Sequence, residues 1–206
     1  EKGSGKNPKP LLLMHGWPGS IIEFLDIIER LAHPERFGGK EEDAFDLIVP
    51  SLPGFAFSGQ LKKPLGPRKM ANIINKLMTK DLNYKKYYAQ GGDWGATIAN
   101  WLGYDHAKNC KAIHINCLTM RNPNGPQTLE EEKWQNKFNK DQLMQDGYRT
   151  QQSTKPQTLS YAMADSPVGV AAWILEKMYS WSDIKNKKLE SVYSKDKLIA
   201  NIMTYI

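Results

Sequence analysis

The sequence is poor in cysteine and has no long apolar run. Its two cysteines, Cys110 and Cys117, have neither the number nor the spacing of a disulfide framework or a zinc site, and we expect both to be buried free thiols. No apolar run reaches the roughly 18 residues that a membrane span needs. The net charge of +6 comes from scattered lysines, and the densest cluster, 185–188, is too short for a nucleic-acid-binding stripe.

Signals of a chain start and of a helix stop are also missing at the two ends of the sequence. The sequence begins at Glu1 in a polar lead without a signal-peptide pattern, and it ends in the apolar helical pattern 198–206 without a glycine or proline stop. We therefore expect both termini to be cut. The 206 residues still suffice for a core that buries roughly 70% of the unfolded surface, which excludes a small stapled scaffold.

Short apolar runs alternate with amphipathic helical stretches in the first part of the chain. This rhythm predicts βαβ units and an α/β fold with a doubly wound, mostly parallel sheet, whose ligands bind at the carboxyl ends of the strands. Two helical stretches, 20–32 and 66–82, each place apolar residues on one face. These residues are Ile21, Phe24, Leu25, Ile28 and Leu31 in the first stretch and Met70, Ile73, Ile74, Leu77 and Met78 in the second. The predicted strands are 10–14, 45–50, 85–90 and 111–117.

The alternation stops near Leu118, and the remainder is predicted to be helical. Thr128 and Glu131 form a capping-box pattern, and a long helix is predicted to start near Pro167. We expect residues 1–118 to be the amino-terminal part of a hydrolase core and residues 119–206 to be an incomplete helical cap.

A glycine-flanked turn follows the third predicted strand and carries an aspartate at its centre. The run from Gly91 to Gly95 has the small-x-nucleophile-x-small spacing of the nucleophile elbow of α/β-hydrolases, with a strand before it and a helix after it. Asp93 stands where such hydrolases commonly carry serine. A plain glycine-rich turn with an aspartate helix cap is the alternative.

A carboxylate at this position favours attack on an sp³ carbon. Aspartate has an ordinary pKa of about 3.9, so it is already an anion near neutral pH and needs no base to attack an epoxide or an alkyl halide. The product of attack is an alkyl ester of Asp93, which water must then cleave with the help of a base and an oxyanion hole.

The loop after the first predicted strand can supply that oxyanion hole. His15-Gly-Trp-Pro occupies the loop from which such hydrolases donate one backbone N–H, and the residue after the nucleophile donates the other. The predicted donors are therefore Trp17 and Trp94. We expect His15 to be structural, because it lies in the backbone turn of the motif.

Several longer motifs resemble the microsomal-type epoxide hydrolases of the α/β-hydrolase superfamily. The resemblance covers the chain from about Pro8 to Ile206. Within the motif Asp146–Lys177, the "STKP" run (153–156) and the "DSPVG" helix (165–169) are far more specific to this family than the elbow alone. The other motifs that carry it are "HGWPGS" (15–20), "SLPGFAFSG" (51–59), "QGGDWG" (90–95) and "LIANIMTYI" (198–206).

The resemblance implies a role for each matching residue. Asp93 is the nucleophile, the N–H groups of Trp17 and Trp94 form the oxyanion hole, and Tyr148 is one of two cap tyrosines that hydrogen-bond the epoxide oxygen. We also expect Pro18 and Trp173 to contact the substrate. The family's water-activating histidine, its carboxylate partner and the second tyrosine are expected beyond Ile206, so these 206 residues alone are not expected to turn over efficiently.

The expected partners are a small apolar epoxide and water, without a cofactor, a metal ion or nucleic acid. Homodimerisation of the full-length protein is left open, as are juvenile-hormone-like, terpene and aryl epoxides as substrates. We expect a soluble cytoplasmic protein of microbial type. The alternative is an endoplasmic reticulum protein, if an anchor precedes Glu1.

Three rival functions are weighed against epoxide hydrolysis. A haloalkane dehalogenase uses the same elbow aspartate but needs side-chain N–H donors for the halide. A non-catalytic binding protein on the same fold would explain why no histidine stands in the expected place. A serine esterase is disfavoured, because Ser58 lies in a comparable loop but has no elbow around it.

Overall fold

The computed structural model describes residues 1–118, 122–184 and 188–206, so most of the lysine cluster at 185–188 lies outside the described residues. The chain divides into two compact units. The first comprises Glu1–Thr119 and Leu175–Tyr205, and the second comprises Met120–Ile174 with Ile206. The predicted division into a core of 1–118 and a cap of 119–206 stays a prediction. By compactness, Leu175–Tyr205 groups with the first unit.

A parallel sheet forms the centre of the first unit. Its four strands within the described residues are β1 (Lys9–Met14), β2 (Phe45–Ile48), β3 (Tyr87–Gly91) and β4 (Cys110–Ile115), in the order β2-β1-β3-β4. All three neighbouring pairs are parallel. The predicted α/β fold with a parallel sheet is confirmed. Because the chain leaves β1 for β2 on one side and later returns to β3 on the other, β1 and β3 flank a topological switch point.

Helices connect these strands. They are α1 (Leu25–Ala32), α2 (Pro67–Lys76) and α3 (Trp94–Asp105). The predicted apolar faces are correct at Phe24, Ile74 and Met78, which are buried, but wrong at Leu25 and Ile73, which are 51% and 45% exposed. Leu25 differs because residues 21–24 form a 3-10 turn before α1, which rotates the apolar stripe relative to one continuous α-helix.

Side chains alternate across the sheet and fill one hydrophobic cluster on each face. Leu12 and Met14 of β1 pack in a cluster with residues of α2, β3 and α3, whereas Leu13 packs with Phe24 and Leu47 in the other. The carboxyl ends of β1 and β3 are thereby fixed between two layers of helices, and their last residues, Met14 and Gly91, are partners in the sheet register.

The two cysteines have different surroundings. Cys110 begins β4 and is buried, and burial raises the pKa of its thiol to about 11. Cys117, two residues after β4, is exposed. Both are free thiols, as expected, but the prediction that Cys117 is buried is wrong. Residues 111–114 of β4 are exposed, so the apolar pattern there overstated the burial.

The second unit is helical. It contains α4 (Leu129–Gln145), α5 (Gly147–Thr154), α6 (Pro156–Asp165) and most of α7 (Pro167–Trp181). The predicted cap of α4 forms: the Glu131 N–H donates to Thr128 Oγ1 over 3.2 Å, and Glu131 Oε2 accepts the N–H of Gln127 over 2.6 Å. The first unit ends with α8 (Lys195–Met203), whose residues Leu198, Asn201 and Ile202 are buried.

Candidate active site

Asp93 lies at a sharp turn between β3 and α3, as the spacing predicted. Its backbone has φ 48° and ψ −119°, a conformation that non-glycine residues rarely adopt and that concentrates at functional sites. The turn needs glycine on both sides. A Cβ on Gly95 would lie 2.7 Å from the Met14 carbonyl carbon, and a Cβ on Gly91 would lie 2.6 Å from the backbone nitrogen of Ala96.

The carboxylate of Asp93 is bound by the loop that follows β1. The backbone N–H of Trp17 donates to Asp93 Oδ1 over 2.9 Å. The two loops meet because β1 and β3 are neighbours in the sheet and end together at Met14 and Gly91. Gly16 permits this approach, since a Cβ there would lie 2.7 Å from Asp93 Cγ.

The second predicted donor, Trp94, is the first residue of α3. The first N–H groups of a helix have no carbonyl partner within the helix, and the helix dipole adds partial positive charge at that end. The N–H groups of Ala96 and Thr97 are already used, as they donate to the carbonyls of Gly92 and Asp93. Trp94 is 47% exposed, so its indole is open to solvent.

His15 is held within the loop by both nitrogens of its ring. Nε2 accepts the backbone N–H of Leu52 over 3.0 Å, and Nδ1 lies 3.2 Å from the Gly16 carbonyl oxygen. These contacts require Nδ1 to carry the proton and Nε2 to carry none. Burial lowers the pKa of His15 in the same sense, although the Gly16 carbonyl and the Asp93 charge oppose it. His15 therefore braces the turn as a neutral ring, in agreement with its predicted structural role.

Glu23 is an acidic group near the nucleophile that the sequence analysis missed. It lies in the 3-10 turn after the loop, and its carboxylate fills the space that a side chain at residue 19 would take. Desolvation, and then the negative charge of Asp93, raise the pKa of Glu23 to about 7. The only sequence signal is an acidic residue soon after the "HGWPGS" motif, and nothing in the pattern places it beside Asp93.

Two residues at the end of the first unit contact the same loop and were also missed. The side-chain amide of Asn201 donates to the Pro18 carbonyl over 2.8 Å, and the Tyr205 hydroxyl donates to the Gly19 carbonyl. The Trp181 indole packs edge-on against Trp17 at 6.0 Å between centroids. The apolar pattern of 198–206 predicted a helix but gave no sign of this contact.

The remaining predicted site residues lie on different parts of the chain. Pro18 is in the loop beside Trp17, half-buried, and the Trp17–Pro18 peptide is cis. Tyr148 lies on α5 and Trp173 on α7, both in the second unit and both half-buried. The indole nitrogen of Trp173 is buried without a hydrogen-bond partner among the described residues. The structure thus brings Asp93, Trp17 and Trp94 together, and the roles of Tyr148 and Trp173 stay predictions.

Neither a metal-binding cluster nor a membrane-spanning helix occurs in the described ranges 1–118, 122–184 and 188–206. Within them, no group of three or more histidine, cysteine, aspartate or glutamate side chains is arranged to hold a metal ion. In the same ranges, no helix has the length and apolar character needed to cross a membrane.

The family model described as the alpha/beta hydrolase fold matches residues 9–200. This chain belongs to the α/β-hydrolase fold family. The match spans β1, the elbow and α7, so the strand–turn–helix arrangement around Asp93 lies within the family's common architecture.

Relatives that match almost the whole chain at 32–36% identity are epoxide hydrolases, which confirms the resemblance found in the sequence. Rabbit (Oryctolagus cuniculus) epoxide hydrolase 1 is 36% identical over 98% of this chain and 49% of its own length. The crystal structure of juvenile hormone epoxide hydrolase from the silkworm Bombyx mori superposes with a TM-score of 0.80 at 32% identity, over 98% of this chain and 53% of that one.

The Aspergillus niger epoxide hydrolase structure gives a TM-score of 0.75, also at 32% identity, over 98% of this chain and 53% of that one. The chain thus spans about half the length of the relatives that it matches.

Proposed function

We propose that the whole protein containing this chain is an epoxide hydrolase that converts an epoxide and water into a vicinal diol through an ester on Asp93. The relatives' activity supports the reaction class. The observation that carries the mechanism is the hydrogen bond from the Trp17 N–H to Asp93 Oδ1, because it divides the carboxylate into one bound oxygen and one that is free of that donor.

Ester formation is the first step. Asp93 Oδ2 attacks a ring carbon, a new O–C bond forms, and the C–O bond of the strained ring breaks with its electron pair moving to the epoxide oxygen. That oxygen takes a proton from the acid to which we assign Tyr148. A phenol with an ordinary pKa of about 10 is protonated at neutral pH, yet it is a much stronger acid than the alcohol that forms.

Ester hydrolysis is the second step. Water adds to the Asp93 carbonyl carbon, and negative charge develops on Oδ1, which already accepts the Trp17 N–H. The N–H of Trp94 is the second donor in this proposal. Collapse of the tetrahedral intermediate breaks the bond between the ester oxygen and the carbonyl carbon. Of the two protons of the water, one goes to the departing alkoxide and the other restores the Tyr148 hydroxyl, so the diol leaves and Asp93 returns to a carboxylate.

A base must activate that water, and three histidines of the chain are engaged elsewhere. The ring of His15 is held by Leu52 and Gly16. His33 Nε2 lies 3.4 Å from Glu1 Oε1, and His106 Nε2 lies 2.8 Å from Asn72 Oδ1. His114 is an exposed residue of β4. We therefore assign the base to a residue of the whole protein outside these 206 positions.

Substrate assays on the whole protein test this function. Diol formation from styrene oxide should fall by at least about 10³-fold in Asp93→Ala, because the nucleophile is lost. The matched control Asp105→Asn removes a carboxylate at the other end of α3, where it pairs with Arg68, and should keep the activity. Halide release from a bromoalkane without diol formation would instead identify a dehalogenase, and inertness toward both substrates would favour a binding protein.

A further inference from the structure

The end of the first unit is attached to the loop that carries Trp17. The Asn201 side-chain amide donates to the Pro18 carbonyl over 2.8 Å, and the Tyr205 hydroxyl donates to the Gly19 carbonyl. Asn201 is only 5% exposed, and its neighbour Ile202 is 7% exposed. A buried polar side chain of this kind is costly unless it is hydrogen-bonded, so the contact with Pro18 is a fixed part of the fold.

The same loop is held on its other side by His15. The ring of His15 is bonded to the Leu52 N–H and packs edge-on against Phe55 at 5.3 Å between centroids. Phe55 in turn packs edge-on against Tyr205 at 6.2 Å. The Trp17 N–H therefore lies between two anchored points of the loop.

We propose that Asn201 and Tyr205 are positioning residues that keep the Trp17 N–H directed at Asp93 Oδ1 by holding the two carbonyls that follow it. This inference rests on the proposed function. Neither side chain is assigned to the reacting atoms. Both act on the chemistry only through the backbone of the loop.

The hydroxyl of Tyr205 is suited to this role. Burial raises the pKa of Tyr205, and the negative charges of Glu23 and Asp93 act in the same direction. The group therefore stays a hydroxyl and keeps donating to Gly19. While it does so, its proton is committed to a carbonyl, which separates Tyr205 from the epoxide proton donor assigned to Tyr148.

A loosened loop should affect the two chemical steps differently. Attack by Asp93 starts from an existing anion and consumes that charge, so it gains little from the N–H at Oδ1. Hydrolysis creates a new oxyanion on Oδ1 and depends on the donor at that moment. Loss of the positioning contacts should therefore slow hydrolysis selectively, and the alkyl ester should accumulate.

Single-turnover and steady-state kinetics of the whole protein test this inference. In Tyr205→Phe, which keeps the ring contact with Phe55, and in Asn201→Ala, ester hydrolysis should slow by about 10- to 100-fold, as displacements near 1 Å at a catalytic group do. Ester formation should be nearly unchanged, so kcat and KM should fall together. Tyr104→Phe, at a ring that is 78% exposed on α3, is the matched control and should behave as wild type.

The outcomes separate the two proposals. Hydrolysis at the wild-type rate in Tyr205→Phe, or an equal loss in both steps, would overturn the positioning role while the covalent route stood. Selective loss of ester formation in Tyr205→Phe would overturn it too, because it would make Tyr205 the ring-opening acid. A wild-type protein that makes diol without any alkyl ester would overturn the proposed function itself.

Discussion

The backbone nitrogen of Trp17 lies 2.9 Å from Asp93 Oδ1, and 76 positions separate the two residues in the chain. The parallel pairing of β1 with β3 makes this contact, because both strands end at the same edge of the sheet. One N–H donor is thus already in place on the oxygen that becomes the ester carbonyl in the proposed mechanism. Preorganised donors of this kind need no rearrangement when negative charge develops.

The space at Gly16 should be essential for activity. In Gly16→Ala the added methyl group would overlap the Asp93 side chain, so either the loop or the carboxylate must move. We expect diol formation by the whole protein to fall about 100-fold. Gly66→Ala is the control, since nothing lies within 4 Å of a Cβ at Gly66, and it should retain full activity.

Two glycines of α3 should respond to alanine with opposite signs. In Gly95→Ala the new Cβ would lie 2.7 Å from the Met14 carbonyl carbon and 2.8 Å from the His15 carbonyl oxygen. These are backbone atoms of the sheet and the loop, which cannot move aside without distorting the fold. We expect destabilisation by about 3 kcal/mol. At Gly103 the nearest atoms are the Ile113 side chain at 3.4 Å and beyond, so Gly103→Ala should stabilise the helix by about 0.5–1 kcal/mol.

Urea midpoints of the two variants, measured on the whole protein, check this pair. Equal shifts of the same sign in both variants would contradict the close approach of strand and helix at the elbow.

Glu23 should make stability depend on pH in a defined window. The folded state keeps the proton up to a pKa of about 7, whereas the unfolded chain releases it near the ordinary value of 4.5. Between these values the folded state binds more protons than the unfolded chain. The contribution of Glu23 to the free energy of unfolding therefore falls as pH rises from about 4.5 to about 7, and it stays constant above pH 7. Glu23→Gln should remove this fall.

Urea unfolding across that pH range measures the effect, as the difference between wild type and Glu23→Gln. The free energy of unfolding of Glu23→Gln should increase relative to that of wild type as pH rises. Glu132→Gln, at an exposed position of α4, should show no such gain. A difference between wild type and Glu23→Gln that does not change with pH would contradict the raised pKa.

Tyr148→Phe tests the proton donor that the resemblance implies. Loss of a positioned acid usually costs about 10² to 10⁴ in rate, so ester formation on Asp93 should slow by that range. Tyr161→Phe on α6, at a ring that is 69% exposed, removes a hydroxyl of the same unit and should leave the rate unchanged. Stopped-flow alkylation by an excess of the whole protein measures both variants, and unchanged alkylation in Tyr148→Phe would remove Tyr148 from the mechanism.

Local patterns in the sequence predicted the strands and the elbow, because glycine spacing and short apolar runs report steric needs of neighbouring residues. They failed for burial. Leu25 is exposed because the short 3-10 turn before α1 rotates the apolar stripe, and Cys117 is a thiol that the tertiary structure leaves exposed. The contact of Asn201 with Pro18 joins residues 183 positions apart, and no local pattern encodes such a pairing.

Glu23 shows the same limit for electrostatics. Its sequence neighbours resemble those of any acidic residue in the first turn of a helix. Its raised pKa arises because the fold places it in a desolvated position near Asp93, a property of the assembled loops rather than of the motif.

One isotope experiment tests the covalent ester on Asp93 most directly. An excess of the whole protein is mixed with an epoxide in ¹⁸O-water for a single turnover. Mass spectrometry then measures the ¹⁸O content of the diol and of the peptide that contains Asp93. The proposed mechanism predicts ¹⁸O in the Asp93 peptide and none in the diol, since the first product takes its oxygen from the carboxylate. A labelled diol with an unlabelled Asp93 peptide would contradict it.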